Sequence, residues 1–500
     1  MTSALARDLP LVIQGGMGIG VSGWKLARTV SAAGQLGVVS GSCIDTVFAR
    51  RLQDGDPEGH LRRAMEAFPF SEVSAAALKR YFLPEGRAED EPYRLVPMWK
   101  HKANRVQEQL TMLASFVEVW LAREGHDGPV GMNLLTKIQL PNLATLYGAM
   151  LAGVDYVLMG AGIPKEIPGA LDAFVNHGPA SLKLDLEGPN SGEREHIHFD
   201  PRDHWEGEPE ESLKRPDFLP IIASNSLAKM MVRKANGPVN GFIIEAPTAG
   251  GHNAPPRGEL TTNERGEPVY GERDEVDLEQ MGELGLPFWV AGGWGSPEGL
   301  TSALEAGAAG IQVGTLFAYA RESGLDPELR QRVLREAREG KVDLHTDLRA
   351  SPTGFPFKVV QLEGTNSEEE MYQKRERVCD LGYLRAAYRR DDGRIAFRCP
   401  SEPVDTYQKK GGDVEETEGR KCLCNALMAD VGHGQERESG PERPILTSGD
   451  EVRSLGQFLG DRESYSAVDV LDYLLATVEA PVEAPAERRS LRLPQVAAQR

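Results

Sequence analysis

Eight short runs of uninterrupted apolar residues constrain this chain more than any other feature. They centre near residues 12, 38, 131, 156, 221, 243, 289 and 311. Each run is apolar along its whole length, without the polar alternation of a half-exposed strand. That pattern suits parallel strands covered on both faces. Most runs lead into a small-residue turn and then a helix-like segment. Eight such units predict an α/β fold: a (β/α)8 TIM barrel with helical insertions and a C-terminal extension. A doubly wound open sheet is the alternative.

The spacing of the runs also marks what is added to the repeat. Residues 44–128 are polar and helix-like, too long for one connection, and are expected to hold an inserted helical segment. Residues 188–217 are rich in Glu, Pro, Asp and His, and read as a polar, solvated excursion. His196, His198 and His204 lie there, but no apolar frame surrounds them to fix a metal site. The barrel is therefore expected over residues 9–340, a cysteine-containing region over 341–478, and a disordered tail over 479–500, where Ala, Pro and Glu alternate. A last helix is expected at 466–478.

Composition narrows the function classes. A net charge of −19 over 500 residues argues against nucleic-acid binding, which needs clustered Lys and Arg. No run approaches the ~20 apolar residues of a membrane helix. The N-terminal segment has no apolar core of signal-peptide length. A cytoplasmic enzyme acting on a small molecule is the expectation, with a homodimer left open.

Barrels of this kind place their chemistry at the C-terminal ends of the strands. In this chain those ends carry Gly15-Gly-Met17, Asn133, Ser224-Asn225, Gly250-Gly-His252, Gly292-Gly293 and Gly314-Thr315. Glycine lets a backbone approach a flat or anionic ligand closely, and histidine moves protons near neutral pH. Glycines ending the seventh and eighth strands are the usual seat of a phosphate. With no P-loop beside them, a cofactor phosphate is expected, not a transferable one. The cluster Gly15–Gly20 does not have the Gly-x-Gly-x-x-Gly spacing of a dinucleotide fold. Cys43 reads as a small buried hydrophobe.

Taken together, Ile13-Gln-Gly-Gly-Met17, Gly131-Met-Asn133, Ala249-Gly-Gly-His252, Ala291-Gly-Gly293 and Gln312-Val-Gly-Thr315 resemble the nitronate monooxygenase (2-nitropropane dioxygenase-like) family of FMN-dependent barrels. That group includes FMN-dependent enoyl-acyl-carrier-protein reductases and the trans-acting reductases of polyunsaturated fatty acid synthases. The resemblance covers roughly residues 9–325. It implies FMN, with its phosphate against Gly250, Gly251, Gly292, Gly293, Gln312, Val313, Gly314 and Thr315, and its ring flanked by Met17 and Asn133. It implies His252 as the group acting on the substrate. It further implies either oxidation of alkyl nitronates with O2, giving carbonyl compounds and nitrite, or NAD(P)H-dependent reduction of an enoyl thioester. Glu245 departs from the Gln that many members carry at the end of strand six, and places a carboxyl in the expected flavin site.

Four of the five cysteines, Cys379, Cys399, Cys422 and Cys424, fall in the C-terminal third. Four thiolates satisfy the ligand count for zinc or an iron–sulfur cluster, but the spacings are irregular and Cys422-Leu-Cys424 is tighter than Cys-x-x-Cys. A metal site and separate reduced thiols are both open.

Overall fold

The computed structural model describes residues 9–188, 195–207, 209 and 211–477. The expected tail therefore lies outside the described residues. The eight apolar runs form β1 (Val12–Gln14), β2 (Gly37–Ser40), β3 (Val130–Leu135), β4 (Tyr156–Gly160), β5 (Asp217–Ile222), β6 (Phe242–Glu245), β7 (Phe288–Ala291) and β8 (Gly310–Val313). Neighbours pair in parallel, in the order β1-β8-β7-β6-β5-β4-β3-β2. The seam between β1 and β2 is closed by side chains as well as backbone. Gln14 N–H donates to the Leu36 carbonyl (2.9 Å) and Leu36 N–H to that of Val12 (3.1 Å). The Gln14 side-chain oxygen accepts from Val38 N–H (3.0 Å), and that of Gln35 from Val12 N–H (2.9 Å). The fold is a (β/α)8 barrel, not an open sheet.

Period-two alternation explains why both strand faces had to be apolar. Ile13, Val38, Leu158, Leu219, Ile243 and Trp289 meet inside the barrel. Their neighbours Val12, Val39, Val157, Phe218, Phe242 and Val290 face the helices. Trp289 is fully buried, and its indole N–H donates to the Pro10 carbonyl (2.7 Å), so the largest interior side chain leaves no donor unpaired.

Residues 44–128 contain four helices, Ile44–Gln53, His60–Glu66, Ser71–Tyr81 and Arg105–Arg123. Asp45 anchors this insertion to the C-terminal region. Buried, it accepts from Trp99 Nε1 (3.1 Å), Thr111 Oγ1 (3.2 Å) and the Tyr383 hydroxyl. The stretch 188–217 departs from a solvated loop. Glu195–Phe199 pairs antiparallel with Ala180–Leu184. His204 is buried, with its ring stacked on Phe199 at 5.3 Å. The alternation Ile197, Phe199 is short, and the surrounding charge hid it.

Beyond the barrel, two antiparallel hairpins, Asp343–Asp347 with Phe357–Gln361 and Ala386–Arg389 with Ile395–Arg398, and several short helices pack over the strand ends. The final helix is Ala467–Leu474, capped by Ser466 and Asp469. No helix among the described residues is long and apolar enough to cross a membrane.

Candidate active site

The strand ends surround one cavity, lined by Met17, Asn133, Glu245, Gly250, Gly251, His252, Gly292, Gln312, Gly314 and Thr315. Gly293 and Val313 lie off its lining. Val313 is buried in the strand, with its carbonyl accepting from Gly15 N–H (2.9 Å).

Close approach explains the first glycines. A Cβ on Gly16 would fall 2.1 Å from Asn133 Cβ, so the turn after β1 reaches Asn133 on β3 only because residue 16 has no side chain. Asn133 Nδ2 donates to the Gly16 carbonyl (3.2 Å), while its Oδ1 is buried without a partner. Gln312 Oε1, also on a residue of the lining, is likewise buried and unpartnered. Such atoms cost ~1–3 kcal/mol each unless something pairs with them. Gly292 and Gly293 have φ of +83° and +80°, which favours glycine and turns their backbone across the end of β7.

A segment that sequence reasoning missed completes this end of the cavity. Residues 446–451 lie against the loops after β6, β7 and β8. Gly251 N–H donates to Thr447 Oγ1 (2.8 Å), Gly449 N–H to Thr315 Oγ1 (3.1 Å), Asp450 N–H to the Thr248 carbonyl (2.9 Å), and Gly295 N–H to a Glu451 carboxyl oxygen (2.6 Å). The small polar run Thr447-Ser-Gly-Asp450 after apolar Ile445-Leu446 was the available signal.

The glycine turns and the unpartnered amide oxygens of Asn133 and Gln312 fit a flat group with donor edges, as FMN has. Besides Glu245, two carboxyls share the cavity, those of Asp430 and Glu451. Burial pushes both above the usual carboxylate range, which favours the neutral form beside an anionic ligand.

His252 lines the same cavity. Its backbone bridges Phe357, and its ring lies edge-on to the Phe357 ring at 4.8 Å. Nε2 is 2.7 Å from Ser351 Oγ. Burial, with Lys137 adding to it, pushes the imidazole down to about 4, so the ring is neutral at neutral pH. Glu245 has no hydrogen-bond partner among the described residues, and burial raises its carboxyl to about 7.

The metal expectation at Cys379, Cys399, Cys422 and Cys424 is not met. All four are free thiols, and no group of three or more His, Cys, Asp or Glu among the described residues is placed to hold a metal. They line a common crevice, but burial raises every one, Cys379 to about 12. Metal ligation needs thiolates converging on one centre.

Fold, cavity and sequence match together define an FMN-dependent oxidoreductase built on a (β/α)8 barrel. The nitronate monooxygenase family model matches the chain over residues 198–367, from the excursion before β5 to just past the hairpin that touches His252. No curated protein matches. Among solved structures, FabK from Thermotoga maritima is 15% identical, with 93% of this chain and 92% of that chain covered and a TM-score of 0.46. A nitroalkane oxidase from Streptomyces ansochromogenes is 15% identical, covering 95% and 97%, at 0.45. The enoyl reductase domain of MlnA from Bacillus amyloliquefaciens is 12% identical, covering 93% of each chain, at 0.43. These likenesses say nothing about the chemistry of this chain.

Proposed function

We propose that the protein is a nitronate monooxygenase that oxidises alkyl nitronates with O2 to carbonyl compounds and nitrite. The observation that carries this reading is the wall around His252, which presents a neutral imidazole and no obligate anion. Glu245 is uncharged below about pH 7, and Lys137, stacked on the Phe355 ring at 5.0 Å, adds positive potential at His252. A small anionic substrate is tolerated there. FMN, when bound, supplies the redox chemistry. Gly250, Gly251, Gly292, Gln312, Gly314 and Thr315 would hold its phosphate end, and Met17 and Asn133 would flank its ring. His252 removes the α-proton when the neutral nitroalkane is the substrate. Nitrite release from propyl-1-nitronate under air, by FMN-loaded protein, is the test; no nitrite from any alkyl nitronate removes the reading.

A second reading, an NAD(P)H-dependent enoyl-thioester reductase, is favoured by the apolar far wall of the cavity, where Ile19, Leu384, Leu423 and Leu427 suit an acyl chain. Here His252 would donate the proton. Anaerobic mixing with NADPH separates the two. Rapid loss of visible flavin absorbance supports the reductase, and none removes it.

A further inference from the structure

Behind His252 the C-terminal region places two hydroxyls in line. Ser351 is fully buried, and its Oγ lies 2.7 Å from His252 Nε2 and 2.8 Å from Thr353 Oγ1. Thr353 N–H also donates to Ser351 Oγ (3.2 Å). Arg420 Nη1 (2.6 Å) and Gly354 N–H (3.2 Å) both donate to the Ser351 carbonyl, so the turn that carries the serine is held from two sides. Thr353 is only half-buried, and His252 lines the cavity at the other end of the row. No substrate reaches a side chain as enclosed as Ser351, so it is no nucleophile.

We propose that Ser351 and Thr353 are positioning residues that form a proton relay, fixing the His252 ring and carrying its proton between the enclosed site and solvent. This rests on the reading of His252 as the group that moves the substrate proton. The physical need is clear. Burial disfavours the imidazolium, so the ring cannot store a proton it takes up. It must release one from the other nitrogen in the same event.

The atoms balance. The substrate C–H bond breaks with its electron pair left on carbon, and Nδ1–H forms. Nε2–H breaks as a new Ser351 Oγ–H forms, the serine's own proton passes to Thr353 Oγ1, and that of Thr353 passes to water. One proton has crossed from substrate to solvent, no electron has moved in the relay, and no ion stays behind. Run backwards, the same row delivers a proton to a substrate.

The test uses full-length, FMN-loaded protein with 1-nitropropane and, separately, its preformed nitronate, nitrite being measured under air. The nitronate has already lost the proton. Ser351→Ala and Thr353→Val are expected to lower kcat on the neutral nitroalkane roughly tenfold or more at unchanged KM. Turnover of the nitronate should stay within about twofold of wild type, a split that general loss of structure would not produce. Ser351→Thr should restore the neutral activity. Equal loss on both substrates overturns the relay, as does full activity of Ser351→Ala on the neutral substrate when His252→Asn has none. Full activity of His252→Asn removes the role of His252 and the relay with it. If wild type releases no nitrite from either substrate, the proposed activity fails, and nitrogen-15 NMR of the His252 ring decides the relay alone. A single Nε2–H tautomer that becomes mixed in Ser351→Ala supports it, and a wild-type Nδ1–H tautomer overturns it.

Discussion

Two regions of this molecule gather chemistry-bearing side chains, and they differ in what they do with polar groups. At the barrel mouth, Asn133 Oδ1 and Gln312 Oε1 are left unpaired around a cavity. In the crevice of Cys379, Cys399, Cys422 and Cys424 the free volume is about 10 Å3, room for at most one water. There Asn425 Nδ2 donates to Cys422 Sγ (3.5 Å), and Tyr372 Oη accepts from Cys422 N–H (2.8 Å). The first region carries an unmet demand for a ligand. The second is packed: Asn425 Oδ1 is unpaired there too, but no open space stands beside it. Residue type suggested a ligand at both places, and unpaired polarity around space separates them.

The comparison breaks first if His252 can be removed without loss. His252→Asn should lower nitrite release from neutral 1-nitropropane by ~100- to 10,000-fold, the range for removing a general acid–base group. The same assay on Cys399→Ala should stay within about twofold of wild type. Comparable losses in the two variants would mean that the cysteine region is part of the chemistry.

Gly250→Ala sharpens the contrast at the cofactor end. An added Cβ would stand 2.7 Å from Gly449 N and from Ser448 C, both backbone atoms, and residues 446–451 would have to move. Such overpacking costs about 1–3 kcal/mol, so FMN should be held roughly ten- to a hundred-fold more weakly in an equilibrium titration of flavin fluorescence. Gly251→Ala meets nothing within 4 Å but sits at φ +77°, so its cost is backbone strain alone. Equal flavin affinity in Gly250→Ala and wild type would remove residues 446–451 from the site.

The barrel was legible because its signal is local. A strand buried on both faces is apolar at every position, and all eight could be placed from that pattern with their end loops. His252, Asn133, Gly250, Gly251, Gly292 and Gly314 line one cavity because a barrel fixes which strand ends meet, whereas Gly293 and Val313 lie off it. Partners brought in from far along the chain were not legible. Ser351 is 99 residues beyond His252, and Thr447 is 196 beyond Gly251. Each is a single hydroxyl in a small polar turn, a pattern that solvent-facing loops share. The strand Glu195–Phe199 was hidden for the opposite reason: His196 and His198 made a half-buried strand look like solvated charge.

Glu245 tests whether desolvation at the barrel mouth is as strong as the geometry implies. Burial raises its carboxyl from 4.5 to about 7. Between these values the folded protein holds a proton that the unfolded chain releases. The stability linked to this proton is present below about pH 4.5 and is lost as pH rises through about 7. Glu245→Gln keeps the shape and removes the titration. Its stability advantage over wild type should grow from pH 4.5 to pH 8 by the order of 1–2 kcal/mol, allowing for a carboxyl partly open to the cavity. Paired urea titrations at the two pH values measure this, and a pH-independent difference would place Glu245 in contact with water.

The smallest effect is expected where the cysteines suggested the largest. A structural zinc or iron–sulfur centre would contribute much of the folding free energy of its region, and chelation would unfold it. Three buried thiols and the partly buried Cys379 leave only about 10 Å3 of free space and form no metal-holding group among the described residues, so prolonged exposure to EDTA should leave the thermal midpoint unchanged. Cys399→Ser, which swaps a packed thiol away from the barrel-mouth cavity for a hydroxyl with no designed partner, should cost only about 1–3 kcal/mol. Its visible spectrum should match that of wild type, flavin bands included. Stoichiometric zinc or iron in the purified protein, with a fall in midpoint on chelation, would reverse the contrast and make the cysteine crevice a second centre.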